Sequence, residues 1–191
     1  MINPLYEPLP DTVIIGYHEY EIVTDFRDWT AFADMIGDSE LSSAEKTSMM
    51  SEWFIEPPEI MTKEAVESLF SFYHASALEP PKLYEEDESE KTPQIPVLNW
   101  KIDAPYIIGD FQRYYGIDLI SENLHWWRFR MLFNALPSDS QMMKRMGYRS
   151  ADLGQIKNES ERKRIMKMKQ LYSLPFELDD DAIGDIFNST M

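Results

Sequence analysis

Histidines and carboxylates are the residues here that could move protons or hold a metal. The three histidines, His18, His74 and His125, stand far apart, and none has a second ligand type at metal spacing. They read as surface or seam histidines. Asp179, Asp180, Asp181 and Asp185 resemble a calcium loop only superficially, because the odd-position ligand pattern, the glycine at the sixth place and the glutamate at the twelfth are missing. Carboxylates are plentiful, but no pair sits in an apolar surround that would raise a pKa for acid catalysis. The chain has no phosphate-binding loop, GxGxxG, HExxH or GxSxG, and its lack of cysteine removes thiol catalysis, thiolate metal sites and disulfides. The reading is a non-enzymatic protein with no catalytic, cofactor-binding or metal residue assigned and no cofactor expected.

What remains is chemistry of contact. Twelve methionines include Met49 and Met50, Met142 and Met143, and Met166 and Met168. Methionine fills irregular core gaps or lets a surface adapt to a partner, and core filling is the favoured reading. Helix ESERKRIMKMKQLYSL places Ile165, Met168 and Tyr172 on one side and surrounds them with Lys and Arg. The candidate self-association or client surface is therefore Met142, Met143, Lys163, Arg164, Met166, Lys167, Met168 and Lys169.

A second aromatic stretch must hold such helices in place. From Leu124 to Leu136, Leu124, Trp127, Met131 and Ala135 share one stripe, while Trp126, Phe129, Phe133 and Leu136 share the opposite one. Burial on two sides makes this the expected structural hub: Leu124, Trp126, Trp127, Phe129, Met131, Phe133 and Leu136.

The 191 residues suit one domain or two small ones, with enough chain for a real core. No 18-residue apolar run or signal-peptide pattern occurs, so a soluble, intracellular protein without a membrane partner is expected. Residues 1–100 carry 5 basic and 21 acidic residues, 101–175 carry 13 and 8, and 176–191 carry none and 5. The net charge of −16 repels nucleic acid as a whole, and the favoured account of the asymmetry is attraction within the chain.

Along the chain, TVIIGYHEYEIVTDF reads as a β-hairpin turning near Gly16 to Glu19. Helices follow from Asp25 to a stop at Gly37, from the Ser42–Glu45 capping box through Met49, Met50, Trp53 and Phe54, and from Thr62 to a close at Pro80 and Pro81. Later helices are expected from an Asp103 cap with Pro105 in the first turn to Gly116, from a Ser121 cap to Pro137, before Gly147, and from Asn158. The spacing predicts a mainly α fold: a helical bundle with a short N-terminal β-hairpin, its two helical lobes joined by an acidic, Pro-containing linker. The expected divisions are 1–78, hairpin plus helices; 79–99, flexible linker; 100–174, C-terminal bundle; and 175–191, flexible acidic tail.

The hairpin with TDFRDW, then GDFQRYYGIDL, LHWWRFRMLFNALP, MGYR and KNESERKRI together resemble a family of tail-assembly proteins of long-tailed, non-contractile phages and prophages of Gram-positive bacteria, related to the tail assembly chaperones. The resemblance runs from about Thr12 to Leu174. It implies a helical, non-enzymatic chaperone that binds the tape measure protein, yields to tail tube protein and self-associates. It also implies residence in the cytoplasm of an infected or lysogenic host and absence from the mature virion. Two rival expectations are an acidic DNA mimic that inhibits a host DNA-binding protein, and a structural tail connector.

Overall fold

The computed structural model describes residues 2–78 and 97–174. The expected linker, except for its last residues 97–99, and the expected tail lie outside them. Among the described residues the fold is mainly α, with seven α-helices and one antiparallel hairpin. Strands β1 (Thr12–Ile15) and β2 (His18–Glu21) pair Val13 with Tyr20 and Ile14 with Glu19. The turn between them uses Gly16 at φ +63°, a conformation that costs glycine little.

Helix α1 (Phe26–Gly37) starts at Asp25, whose side chain accepts from the Arg27 amide. Gly37 is the last helical residue but is not left-handed; Asp38 caps the end in extended geometry. Helix α2 (Ser43–Met49) opens with the expected reciprocal capping box of Ser42 and Glu45. It tightens into a 3-10 turn over Met50–Trp53, which buries Met50 and Trp53. Helix α3 (Lys63–His74) is capped by Thr62 and ends at left-handed Ala75, ahead of the two prolines expected to close it.

Helix α4 (Trp100–Tyr115) begins earlier than expected. Asn99 Oδ1 accepts from the Lys101 and Ile102 amides, so Asn99 is the cap, while Asp103 and Pro105 lie inside the helix. Gly116 follows at φ +69°. Helix α5 (Trp126–Asn134) is capped by His125, not Ser121, whose hydroxyl is bound to Asp118. Helix α6 (Gln141–Ser150) starts at Ser140 and runs through Gly147, whose backbone is not left-handed. Helix α7 (Glu159–Tyr172) starts at Asn158 as expected.

The compact units are discontinuous in sequence. Among the described residues, one comprises 2–78 and 107–137, the other 97–106 and 138–174. This differs from a boundary at the acidic segment: α5 and the end of α4 belong with the hairpin and α1–α3. The reason is aromatic packing in the first unit. Phe129 stacks on Phe26 at 4.8 Å and on Phe111 at 5.0 Å, and Trp126 stacks on Tyr73 at 5.4 Å. Burying those rings outweighs nearness along the chain.

Candidate interaction surface

The tryptophan helix is a packing element. Leu124, Trp126, Trp127, Phe129, Phe133 and Leu136 are buried, whereas Met131 is half-buried and Ala135 exposed. The stripe containing Met131 therefore covers less than the wheel suggested, because α5 ends at Asn134. Its two indoles have a further use. Trp126 Nε1 donates to the Tyr73 carbonyl and Trp127 Nε1 to the Phe72 carbonyl, each at 2.8 Å. These carbonyls lie in the last turn of α3, where the helix leaves acceptor capacity open; Phe72 also accepts from the Ala75 amide. Arg130 also donates to Tyr73.

The N-termini of α1 and α5 are tied to each other. Asp25 and His125, the two caps, form an antiparallel bridge; Phe26 N–H donates to Leu124 and Trp126 N–H to Thr24. His125 Nδ1 accepts from the Trp127 amide and Nε2 lies 2.9 Å from the Pro10 carbonyl. Because an amide only donates and a carbonyl only accepts, the ring is the neutral Nε2–H tautomer. Burial pushes its pKa below the ordinary imidazole value, opposed by the Pro10 carbonyl and the Asp11 charge. Arg27 clasps Asp25 at 3.0 Å and donates to the Leu119, Ile120 and Glu122 carbonyls. The sequence expectation for His125 is a seam histidine; its cap position depends on the tertiary pairing of the Thr24 and Leu124 carbonyls with Trp126 and Phe26.

In the second unit a buried ion pair positions the basic helix. Arg149, 4% exposed, makes a two-pronged bond to fully buried Asp103 at 2.6 and 2.8 Å. It also donates to the Val97 carbonyl at 2.9 Å and to the Tyr172 carbonyl, at the end of α7, at 2.6 Å. Arg145 lies between the Tyr106 and Tyr172 rings, 3.4 and 4.5 Å from their centroids, and Tyr148 stacks on Tyr172. Among the described residues the Arg145 Nε is buried without a hydrogen-bond partner; the ring faces offset part of that cost by cation–π attraction. MGYR contains Arg149 and Asp103 is the expected cap of α4, but nothing in the sequence pairs them, since they are 46 positions apart.

Helix α7, so held, has no buried residue. Ile165, Met168, Lys169 and Tyr172 are half-buried, and Lys169 donates to the Ala151 carbonyl at 2.8 Å. Met166 is 48% exposed and Leu171 68%. Lys163 pairs with Glu159 and Arg164 with Glu161, whereas Arg162 and Lys167 have no ion pair among the described residues. Of the expected surface, Lys163, Arg164, Met166 and Lys167 are exposed on α7, with Met168 and Lys169 at its edge. Met142 is wholly buried and so cannot be part of a contact surface; Met143 is half-buried. The face of α6 that carries Met142 is the one covered by packing, a tertiary choice that helical spacing does not set.

Among the described residues no cluster of His, Asp or Glu could hold a metal, and no helix is long and apolar enough to cross a membrane. A family model described as Bacteriophage Gp15 protein matches residues 5–174. The chain belongs to that family. Membership makes this a bacteriophage protein family member and supports a phage-associated structural or morphogenetic role. The match includes α1 to α7, and so both the tryptophan helix and the basic helix are family territory. Neither a curated protein nor a solved structure matches the chain.

Proposed function

We propose that this family member is a non-enzymatic tail morphogenesis factor, a tail assembly chaperone that binds the tape measure protein of its phage. The observation that carries the reading is α7: a 14-residue amphipathic helix, clamped by Arg149 at its C-terminal end, that leaves basic and apolar side chains in solvent. A tape measure protein offers amphipathic helices, and a helix-on-helix contact would cover their apolar faces while Lys163 and Lys167 meet acidic flanks. Membership in a bacteriophage family supports the setting. Covering a long client takes many copies, so the protein self-associates in this reading, and acidic 1–100 of one subunit meets basic 101–175 of the next. Tail tube protein displaces it as the tube grows, within the host cytoplasm.

The test is co-expression with the tape measure protein. A soluble, isolable complex is expected, weakened by Lys163→Glu with Lys167→Glu; an insoluble and unbound client would sink the reading. Mass spectrometry of purified virions separates chaperone from connector, since a chaperone should be absent from mature particles.

A further inference from the structure

Both ring nitrogens of His125 are engaged, and only the neutral ring satisfies both partners. Nδ1 accepts from the Trp127 amide at 3.0 Å, and Nε2–H donates to the Pro10 carbonyl at 2.9 Å. An imidazolium carries a hydrogen on each nitrogen and accepts nothing. Its Nδ1–H then faces the Trp127 N–H, donor against donor, and turning the ring over gives no relief because the other nitrogen carries a hydrogen too. The bond to Pro10 changes in the opposite sense, since a charged donor binds a carbonyl more strongly. Protonation thus pushes the ring off α5 and draws it toward the N-terminal segment.

The surroundings give the displaced ring a direction. From the N-terminal segment, Asp11 supplies a negative charge that favours the proton. From α1, the Asp25 carboxylate is already clasped by Arg27. Helix α3 brings the Phe72 ring, 5.8 Å away between centroids, and α5 itself carries the Trp127 ring at 6.3 Å and the cations Arg128 and Arg130, the second of which donates to Tyr73. Beside the cap lie the two backbone bonds that join the helices, Phe26 N–H to Leu124 at 2.9 Å and Trp126 N–H to Thr24 at 2.7 Å. The side chains beneath them are core: Trp126, Trp127 and Phe129 are at most 2% exposed. Losing the cap therefore opens the joint locally, while ring packing holds the rest of the unit.

We propose that the joint between α1 and α5 is a proton-operated hinge, in which protonated His125 swings from the Trp127 amide toward Asp11 and frees the backbone bonds joining Thr24 and Phe26 to Leu124 and Trp126. The hinge needs no client and is independent of the chaperone reading.

Nitrogen-15 spectra of the imidazole and amide hydrogen exchange, both on the full-length protein between about pH 7.5 and about pH 5, test it. The ring should show the Nε2–H form at the upper end. As it titrates, the protection factors of the Phe26, Trp126 and Trp127 amides should fall about tenfold, the size of a lost N-cap, with the midpoint of the ring itself. Phe32 in α1 and Leu69 in α3 should keep theirs. His125→Asn, which retains a capping acceptor but does not titrate, should hold all five amides protected throughout, and Asp11→Asn should move the midpoint to lower pH. A ring still neutral at about pH 5, hinge amides that ignore its titration, or an equal loss at Phe32 and Leu69 overturns the hinge. The same loss in His125→Asn also overturns it, because the proton then acts elsewhere, and an unmoved midpoint in Asp11→Asn overturns the swing toward Asp11.

Discussion

Arg149 is the residue whose loss should be felt most in the second unit. Truncation leaves the Asp103 carboxylate buried, with only the Asn99 amide left to donate to it among the described residues. Arg149→Ala should therefore cost about 3–5 kcal/mol, the range for breaking a buried ion pair, and Lys cannot restore the two-pronged geometry. Urea denaturation of both variants checks this; a loss of less than about 1 kcal/mol for Arg149→Ala would contradict the buried-pair account. His125 makes a prediction of opposite character. Its folded pKa is lowered, so the folded state binds its proton less readily than the unfolded chain. Its contribution is whole above the ordinary imidazole value and is lost as pH falls from about 6.5 through the lowered value. Urea midpoints should drop between about pH 7.5 and pH 5, and His125→Asn, which keeps a capping acceptor, should flatten that drop.

At the scale of elements, Trp127 joins burial to capping. Trp127→Ala should cost about 3–5 kcal/mol, as for other buried aromatic truncations, and Trp127→Phe distinctly less. The Phe72 carbonyl keeps the Ala75 amide in both, so most of the difference reports lost volume. Thermal melts of the two variants give the comparison. Ser42→Ala removes the α2 capping box, whose residues are exposed, and should cost about 1 kcal/mol. Most caps formed by neighbours in sequence were legible: Ser42 with Glu45, Thr62, and Asn158 with Glu161 all open helices where the spacing placed them, whereas Asn99, equally local, was hidden behind Asp103 and Pro105. Caps supplied by tertiary contact were not. Ser121 looked like the start of the tryptophan helix, but the bridge between Asp25 and His125 moved that start to Trp126.

For the whole molecule, charge and exposure separate folding from function. Lys163→Glu with Lys167→Glu changes two exposed side chains on a helix with no buried residue, so the melting temperature should barely move while client capture falls. Lys169 is unsuited to the same test, since its bond to the Ala151 carbonyl makes its loss partly structural. A large loss of helical signal in the double variant would show that the basic face serves the chain's own folding.

Periodicity and local capping by themselves determined a mainly α chain with one hairpin and a tryptophan helix buried on more than one side. These depend on residues within a few positions of one another, where side-chain directions follow from helix and strand geometry. Tertiary structure alone decided that α5 joins the N-terminal unit, that Met142 is core, and that Arg149 finds Asp103. Such pairings join positions far apart in the chain, and the burial of apolar rings and charges that selects among them belongs to the folded arrangement as a whole.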